Sequence, residues 1–355
     1  MYDYSEQIAA FLGEKVKLSK AFKDKLYNHR DANRNRIISR LPDLIEGVSK
    51  SSISFKPQGS IAMGTIIQTV FAEEEYDIDD GLILAKADLK DKNGKELLAK
   101  EMKVLLKEAL EDERFKKQPI ICRNCVRVFY AEEDAEKHHV DFPVYRKFKD
   151  DDGVETKELA GEQDWFVSNP TQVNKWFQDR VETLNTEKAG KGTQLRQLVC
   201  LLKRFARSRR TWDLPNGMKL TMLVDECQPT YDAKLDKAFR NLLKKLKTRL
   251  LRTKIIRNRA HPDKPMITRT TYDRNVTDLF NETEKGLKEL EILDFDTCTR
   301  KEARKAWDYI FKSDGFFKNW DDEHGDEEEK NAKHGIAGGT PRRAFNRHPD
   351  GGQYA

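Results

Sequence analysis

Residues 76–84 form an apolar strand pattern with acidic residues inside it, and this segment constrains the fold more than any other. Side chains two positions apart on a strand point to the same face, so Asp77 and Asp79 stand side by side while Ile78 points into the core. Carboxylates in an apolar strand are costly unless they are paired or bind a metal ion. The segment therefore predicts a strand that presents two carboxylates together on one face of a β-sheet.

A third aspartate lies in a second apolar strand, predicted at Val140–Tyr145. If the two strands are neighbours in one sheet, Asp141 completes a cluster of three carboxylates. Carboxylate oxygens are ligands that Mg²⁺ prefers. Two metal ions about 3.5–4 Å apart can activate an attacking hydroxyl and stabilise a leaving group. We therefore predict that Asp77, Asp79 and Asp141 are catalytic and bind two Mg²⁺ ions, for which Mn²⁺ can substitute.

Two polar neighbours of these aspartates are assigned structural roles. Asp80 directly follows the pair and should face away from it, as a turn or capping residue. His139 immediately precedes the strand of Asp141 and is interpreted as structural. Neither residue is counted among the predicted site residues.

The dipeptide Gly59-Ser60 is predicted to bind phosphate. A glycine lets the backbone approach a phosphate closely, and the serine hydroxyl with neighbouring N–H groups can bind phosphate oxygens. The dipeptide lies shortly before the carboxylate pair and next to a turn signal. The combination with the aspartates is far more specific than either piece alone.

Hydrophobic spacing changes from mixed to helical near residue 165. Helices are predicted within residues 2–50 and 95–111, with a strand at Val126–Tyr130 and a polar loop at 147–163. Further helices are predicted to begin at Asn169-Pro170 and to cover Leu195–Ala206, Phe239–Ile256 and Lys301–Phe311. The order predicts an α+β fold with a small mixed catalytic lobe beside an all-helical lobe, and an active site in the cleft between them.

Composition fits a protein of the cytoplasm. The chain has 355 residues, 37% of them hydrophobic, and a net charge of only +5. No run of about 18 apolar residues is present to span a membrane. The five cysteines are scattered along the chain, which favours a reducing compartment over a disulfide framework. The first residues lack the basic and apolar regions of a signal peptide.

The motifs resemble those of the DNA polymerase β-like nucleotidyltransferase superfamily and, within it, the bacterial cGAS/DncV-like nucleotidyltransferases. The resemblance covers about residues 1–310. The matching strings are Gln58-Gly59-Ser60, Asp77-Ile78-Asp79-Asp80-Gly81, His139-Val140-Asp141-Phe142-Pro143, Asn169-Pro170 to Trp176-Phe177, Leu201-Leu202-Lys203-Arg204-Phe205 and Leu220-Thr221-Met222-Leu223-Val224. The resemblance implies a polymerase-β-like nucleotidyltransferase lobe at residues 1–165, whose N-terminal helix bridges both lobes. The change to helical spacing predicts a helical lobe at 166–312, and the polar composition of residues 313–355 predicts a flexible tail.

The resemblance also implies an activity. Such enzymes join two nucleoside triphosphates, here ATP with GTP, into a cyclic GMP-AMP-like second messenger and release pyrophosphate in each of two steps. The product activates a downstream effector in antiphage defence. A ubiquitin-transfer-like enzyme acting on the C-terminus is a further implied partner. No membrane and no dedicated nucleic-acid partner are expected.

Individual residue roles follow from the same resemblance. Asp77 and Asp79 would hold metal, and Asp141 would hold metal and help to deprotonate the attacking hydroxyl. The nucleotide-binding residues that it implies are Gln58, Gly59, Ser60, Lys203 and Thr221.

Two other functions stay open on the sequence. The first is a template-independent nucleotidyltransferase that extends RNA, although the chain offers no obvious RNA-binding domain after the helical lobe. The second is a regulatory or toxin–antitoxin module that keeps the fold without the activity. The presence of all three carboxylates and of Gly59-Ser60 disfavours the second.

Overall fold

The structure is a computed structural model, and it describes residues 2–130, 137–186, 193–211, 215–261, 267–268 and 273–324. The strands within this part of the chain are β1 Ser54–Pro57, β2 Tyr76–Ala85, β3 Ile120–Ile121, β4 Val126–Tyr130, β5 His138–Phe142, β6 Val144–Lys149, β7 Glu155–Ala160 and β8 Trp165–Val167. The helices are α1 Ser5–Phe11, α2 Lys20–Leu44, α3 Gly59–Ala62, α4 Ala99–Leu110, α5 Pro170–Thr183, α6 Thr193–Ala206, α7 Gly217–Glu226, α8 Leu235–Arg252, α9 Arg274–Glu289, α10 Arg300–Phe311 and α11 Phe316–His324.

Strand β2 lies at the middle of the mixed sheet, whose order is β3-β4-β5-β2-β6-β7-β8, with β1 antiparallel to β2. Its apolar residues Ile78, Leu82 and Leu84 are fully buried in the core that α2 and α4 cover. The predicted inward direction of Ile78 is confirmed. The α+β fold class, with a mixed sheet followed by a helical half, is confirmed as well.

The strand predicted at Val140–Tyr145 is divided at Pro143 into β5 and β6. β5 runs parallel to the first half of β2, and β6 runs parallel to its second half. Proline has no N–H to give to a ladder, but the carbonyl of Pro143 accepts a hydrogen bond from the N–H of Leu82 at 2.9 Å. The register offset is the same in both pairings, so the chain continues along one side of β2 through this proline, and β1 pairs with the other side.

The loop predicted for residues 147–163 is wrong. The end of β6 and the whole of β7 form an antiparallel hairpin there, closed by a turn with Gly153 at φ +76°. Side chains at the start of β7 are polar or charged, and they are exposed or half-buried. A strand with a solvated face has no apolar run, so its composition resembled that of a loop.

Helices make up the second half of the described chain. α5 begins as predicted, because the side chain of Asn169 accepts a hydrogen bond from the N–H of Thr171 at 3.1 Å. α6 has a strongly buried apolar face, and α8 is buried along Phe239, Leu242 and Leu246. α9, which sequence periodicity did not identify, begins at the capping residue Asp273.

The N-terminal segment forms two helices, joined through a π-helical turn at Leu12–Val16. α1 packs against α8 in the helical half, and the N–H of Tyr4 donates to Asp236 at 2.9 Å. α2 packs against α4 on the sheet. Contacts with both halves are therefore made by successive helices.

The chain divides into two compact units, residues 1–312 and 313–355. The second unit, predicted to be a flexible tail, begins with α11, and residues 325–355 lie outside the described part. No helix in the described residues is long and apolar enough to cross a membrane.

Candidate active site

The three aspartates predicted to be catalytic meet on two adjacent strands. β2 and β5 pair in parallel, with Asp79 opposite Asp141 and Asp77 opposite His139. Asp77 and Asp79 share one face of β2 because they are two residues apart. The condition that the sequence left open, that the two strands be neighbours, is met, and one face of the sheet carries all three carboxylates.

Asp77 and Asp141 form a tight group with His139. One possible metal-ligating atom from each of these residues lies within 4.8 Å of the other two. His139 is 7% exposed and Asp141 is 6% exposed, whereas Asp77 is open to solvent. A histidine interpreted as structural is therefore a member of the site. Its position two residues before Asp141, on the same strand face, is the signal that could have identified it.

Asp79 points towards Gly59, in the dipeptide predicted to bind phosphate. A Cβ atom added to Gly59 would lie 2.1 Å from Oδ2 of Asp79, and Gly59 has φ +63°. Both the close approach and the left-handed backbone require glycine. Gly59 is therefore needed for the close approach of Asp79, in addition to its predicted role in phosphate binding.

The carboxylates of the cluster repel one another, and this repulsion affects the protonation of Asp79. Burial, followed by the negative charges of Asp77 and Asp141, raises the pKa of Asp79 to about 7. A divalent cation would relieve this repulsion and stabilise the ionised form. The donor set of carboxylates and one imidazole on a single face fits such a cation.

Arg127 binds Asp141 and was not found from the sequence. Its Nε and one terminal nitrogen donate to the two carboxylate oxygens at 2.8 and 2.7 Å. The hydrogen bond to Asp141 raises the pKa of the Arg127 guanidinium. Arg127 lies opposite Asp141 in the β4–β5 pairing, so only knowledge of the register brings the two together.

A cleft of about 490 Å³ opens beside the carboxylates. Gly59, Ser60, Asp77 and Asp79 line it from the sheet side, and Lys203 lines it from the helical side. Further lining comes from Arg207 and from residues 215–218, at and just before the start of α7. The cleft therefore lies between the two halves, as predicted, and it holds both acidic and basic groups.

Lys203 is a buried cation at the back of this cleft. Its amine donates to the carbonyl of Thr65 at 2.8 Å and lies 3.1 Å from the Thr65 hydroxyl. Burial lowers the pKa of Lys203 to about 8. The described contacts give the amine no carboxylate partner, so it is suited to bind an anion such as a triphosphate.

The structure does not bring every predicted residue into the cleft. The Thr221 hydroxyl, in α7, is buried and donates to the carbonyl of Gly217 at 2.8 Å. Gln58 accepts a hydrogen bond from the Tyr145 hydroxyl at 3.0 Å and does not line the cleft. Asp80 faces away from the pair as expected, but the predicted turn or capping role is wrong, because Asp80 lies inside β2, is fully buried and pairs with Arg34 through two contacts of 2.6 Å.

Comparison with known proteins agrees with this geometry. Residues 53–145 match the family model described as the nucleotidyltransferase domain of cyclic GMP-AMP synthase DncV-like proteins. The matched segment contains Gly59-Ser60 and all three aspartates. The resemblance read from the motifs is thus confirmed, and the enzyme class is that of a nucleotidyltransferase.

Solved structures of DncV from Vibrio cholerae share the fold. The cyclic AMP-GMP synthase, described as a prokaryotic cGAS homologue, has 18% identity and a TM-score of 0.68, with 88% of this chain and 96% of that chain covered. Its complex with the linear intermediate 5′ pppA(3′,5′)pG has a TM-score of 0.66, and its complex with nonhydrolysable GTP has a TM-score of 0.67; both have 18% identity and the same coverage. The similarity extends across the sheet and the helical half.

Proposed function

We propose that this protein is a cyclic oligonucleotide synthase that joins ATP with GTP into a cyclic GMP-AMP-like product. The observation that carries the proposal is the parallel pairing of Asp79 with Asp141, with Asp77 on the same face and a cleft beside them. The buried amine of Lys203 at the other side of that cleft supports a triphosphate substrate. The likeness to DncV, solved with a linear dinucleotide intermediate, supports a second nucleotide as the acceptor.

The proposed chemistry is nucleotidyl transfer. The hydroxyl of one nucleotide attacks the α-phosphorus of the other, the bond to the β-phosphate breaks, and pyrophosphate leaves. Two bound Mg²⁺ ions would supply charge neutralisation and Lewis acidity. Asp77, Asp79 and Asp141 would hold them, and Asp141 would accept the proton of the attacking hydroxyl. A second round between the ends of the linear product closes the ring.

Phosphate binding is assigned to both walls of the cleft. Ser60 offers its hydroxyl and lies in α3, directly after the glycine that approaches Asp79. Lys203 offers a charged amine that is already desolvated, and removing water in advance strengthens its attraction for a triphosphate. These two residues orient the donor so that its α-phosphate faces the carboxylates. For Thr221 and Gln58, a direct contact with nucleotide would require movement of the hydrogen bonds described above.

The biological role is part of the same proposal. The product would be a second messenger that activates an effector during antiphage defence. Modification of the C-terminus by a ubiquitin-transfer-like enzyme would regulate the synthase. The resemblance of the motifs to those of the bacterial family supports both points.

The test uses purified protein with labelled pairs of nucleoside triphosphates and Mg²⁺, followed by phosphatase. A small phosphatase-resistant product is expected, and it should disappear in Asp141→Ala. Asp151→Ala is the matched control, because Asp151 is an exposed residue in the turn between β6 and β7. A ladder of extended RNA would instead identify the template-independent polymerase, and the absence of any product would contradict both enzymes.

A further inference from the structure

The imidazole of His139 is held in a fixed orientation beside the carboxylates. Its Nδ1 lies 3.1 Å from Oε2 of Glu75, within hydrogen-bond geometry. An ionised carboxylate can only accept, so Nδ1 carries a hydrogen and donates it to Glu75. The other ring nitrogen, Nε2, is thereby directed to the opposite side, where Asp77 and Asp141 lie.

The Nε2 atom is buried without a hydrogen-bond partner. It lies 3.2 Å from Oδ1 of Asp77, but the angles of this contact do not make a hydrogen bond. Only 8% of the side chain is exposed, so water does not readily supply the missing partner.

A carboxylate, a histidine and a metal ion in this order form a known arrangement of metal sites. The outer carboxylate fixes the tautomer and orientation of the ring and raises the basicity of the ligating nitrogen. Glu75 is in the outer position here, and Nε2 points at the two aspartates that would complete the ligand set. Arg127 already binds both oxygens of Asp141, but each carboxylate oxygen has a second lone pair for a cation.

We infer that His139 Nε2 is a direct ligand of one metal position, and that this position takes Mn²⁺ or a later first-row ion in preference to Mg²⁺. The reason is ligand type, because Mg²⁺ prefers oxygen and keeps much of its water, whereas imidazole suits transition-metal ions. The inference rests on the proposed function, since it concerns the metals of the same centre. It makes His139 a metal ligand in addition to the three carboxylates. Glu75 is then the residue that positions the imidazole.

Pulsed electron paramagnetic resonance of bound Mn²⁺ tests the inference without a mutation. The protein is prepared with natural histidine and with ¹⁵N-labelled histidine, and Mn²⁺ is added alone and with a nonhydrolysable triphosphate analogue. The expected result is nuclear modulation from a bound histidine nitrogen that changes from the ¹⁴N to the ¹⁵N pattern. Modulation that does not respond to the histidine label overturns the inference.

Variants then identify the histidine and measure selectivity. In His139→Asn the histidine modulation should vanish, and about tenfold less Mg²⁺ should displace half of the bound Mn²⁺. His324→Asn, at an exposed histidine of α11, is the matched control and should change neither result. Mn²⁺ that binds through Asp79 and Asp141 with unchanged selectivity in His139→Asn refutes the inference and leaves the proposed function intact. Failure of the wild-type protein to bind Mn²⁺ under either condition contradicts both.

Discussion

Asp79 is the carboxylate of the site whose pKa is raised by burial and by its two acidic neighbours. It lies opposite Asp141, two residues from Asp77, and in contact with the backbone of Gly59. Burial and the two neighbouring charges together hold its pKa at about 7, far above the ordinary value of 3.8. Such a buried, repelled carboxylate lowers the stability of the folded protein in the absence of a cation. The same repulsion favours the binding of a cation at this site.

The raised pKa of Asp79 predicts how the free energy of unfolding depends on pH. The folded-state pKa of Asp79 exceeds the unfolded value, so between about pH 4 and 7 the folded protein binds more protons. In EDTA, the free energy of unfolding should therefore fall as pH rises through this interval. Asp79→Asn removes this contribution, and above pH 7 it should be more stable than the wild type by about 1–2 kcal/mol, after allowance for solvent screening. Urea midpoints from pH 4.5 to 8 measure both effects, and an equally steep decline in the variant would contradict the assignment.

At the scale of elements, the site depends on the relative placement of three strands and one short helix. β2 and β5 supply the carboxylates, β4 supplies Arg127, and the first turn of α3 supplies Gly59 and Ser60. Strand periodicity predicted β2 and β4 well, because each carries buried apolar residues at alternating positions. It also predicted which side of β2 each aspartate faces.

Sequence periodicity could not supply the pairing between elements. The parallel pairing of β5 and β6 along one side of β2, on either side of Pro143, depends on contacts between residues distant in sequence. Arg127 and His139 join the site only through that pairing. The polar strand β7 was missed because one of its faces is solvated, and the burial of Thr221 was missed because the motif match carries no information on side-chain direction.

The contact between α3 and β2 predicts the effect of adding one methyl group. In Gly59→Ala, the new Cβ would lie 2.1 Å from Asp79 Oδ2 at φ +63°, so the loop or the carboxylate must move. A displacement of about 1 Å from the reacting geometry lowers turnover by roughly 100-fold. Gly94→Ala is a matched control, because Gly94 has φ +77° but nothing within 4 Å of an added Cβ. It tests backbone strain without the collision and should keep its turnover, and equal losses of turnover in the two variants would contradict the proposed contact.

At the scale of the whole molecule, the described parts of the site all belong to the first compact unit. Every residue of the carboxylate cluster and of the cleft lining lies in the unit of residues 1–312. Both walls of the cleft therefore come from one compact unit, and the N-terminal helices pack on its sheet and on its helical half. Regulation through the C-terminus, as proposed, would act on a centre whose parts are all assembled elsewhere in the chain.

Two deletions separate these roles. Removal of residues 325–355 should leave cyclic product formation by the purified protein unchanged, because the carboxylates and the described lining of the cleft all belong to residues 1–312. Removal of residues 353–355 alone should have the same null effect in vitro but abolish the defence response in cells that contain the conjugating partner. Product yield and phage resistance, measured side by side, give the answer. Loss of product in vitro would show that the segment takes part in synthesis, whereas intact resistance without residues 353–355 would eliminate C-terminal conjugation as the regulatory step.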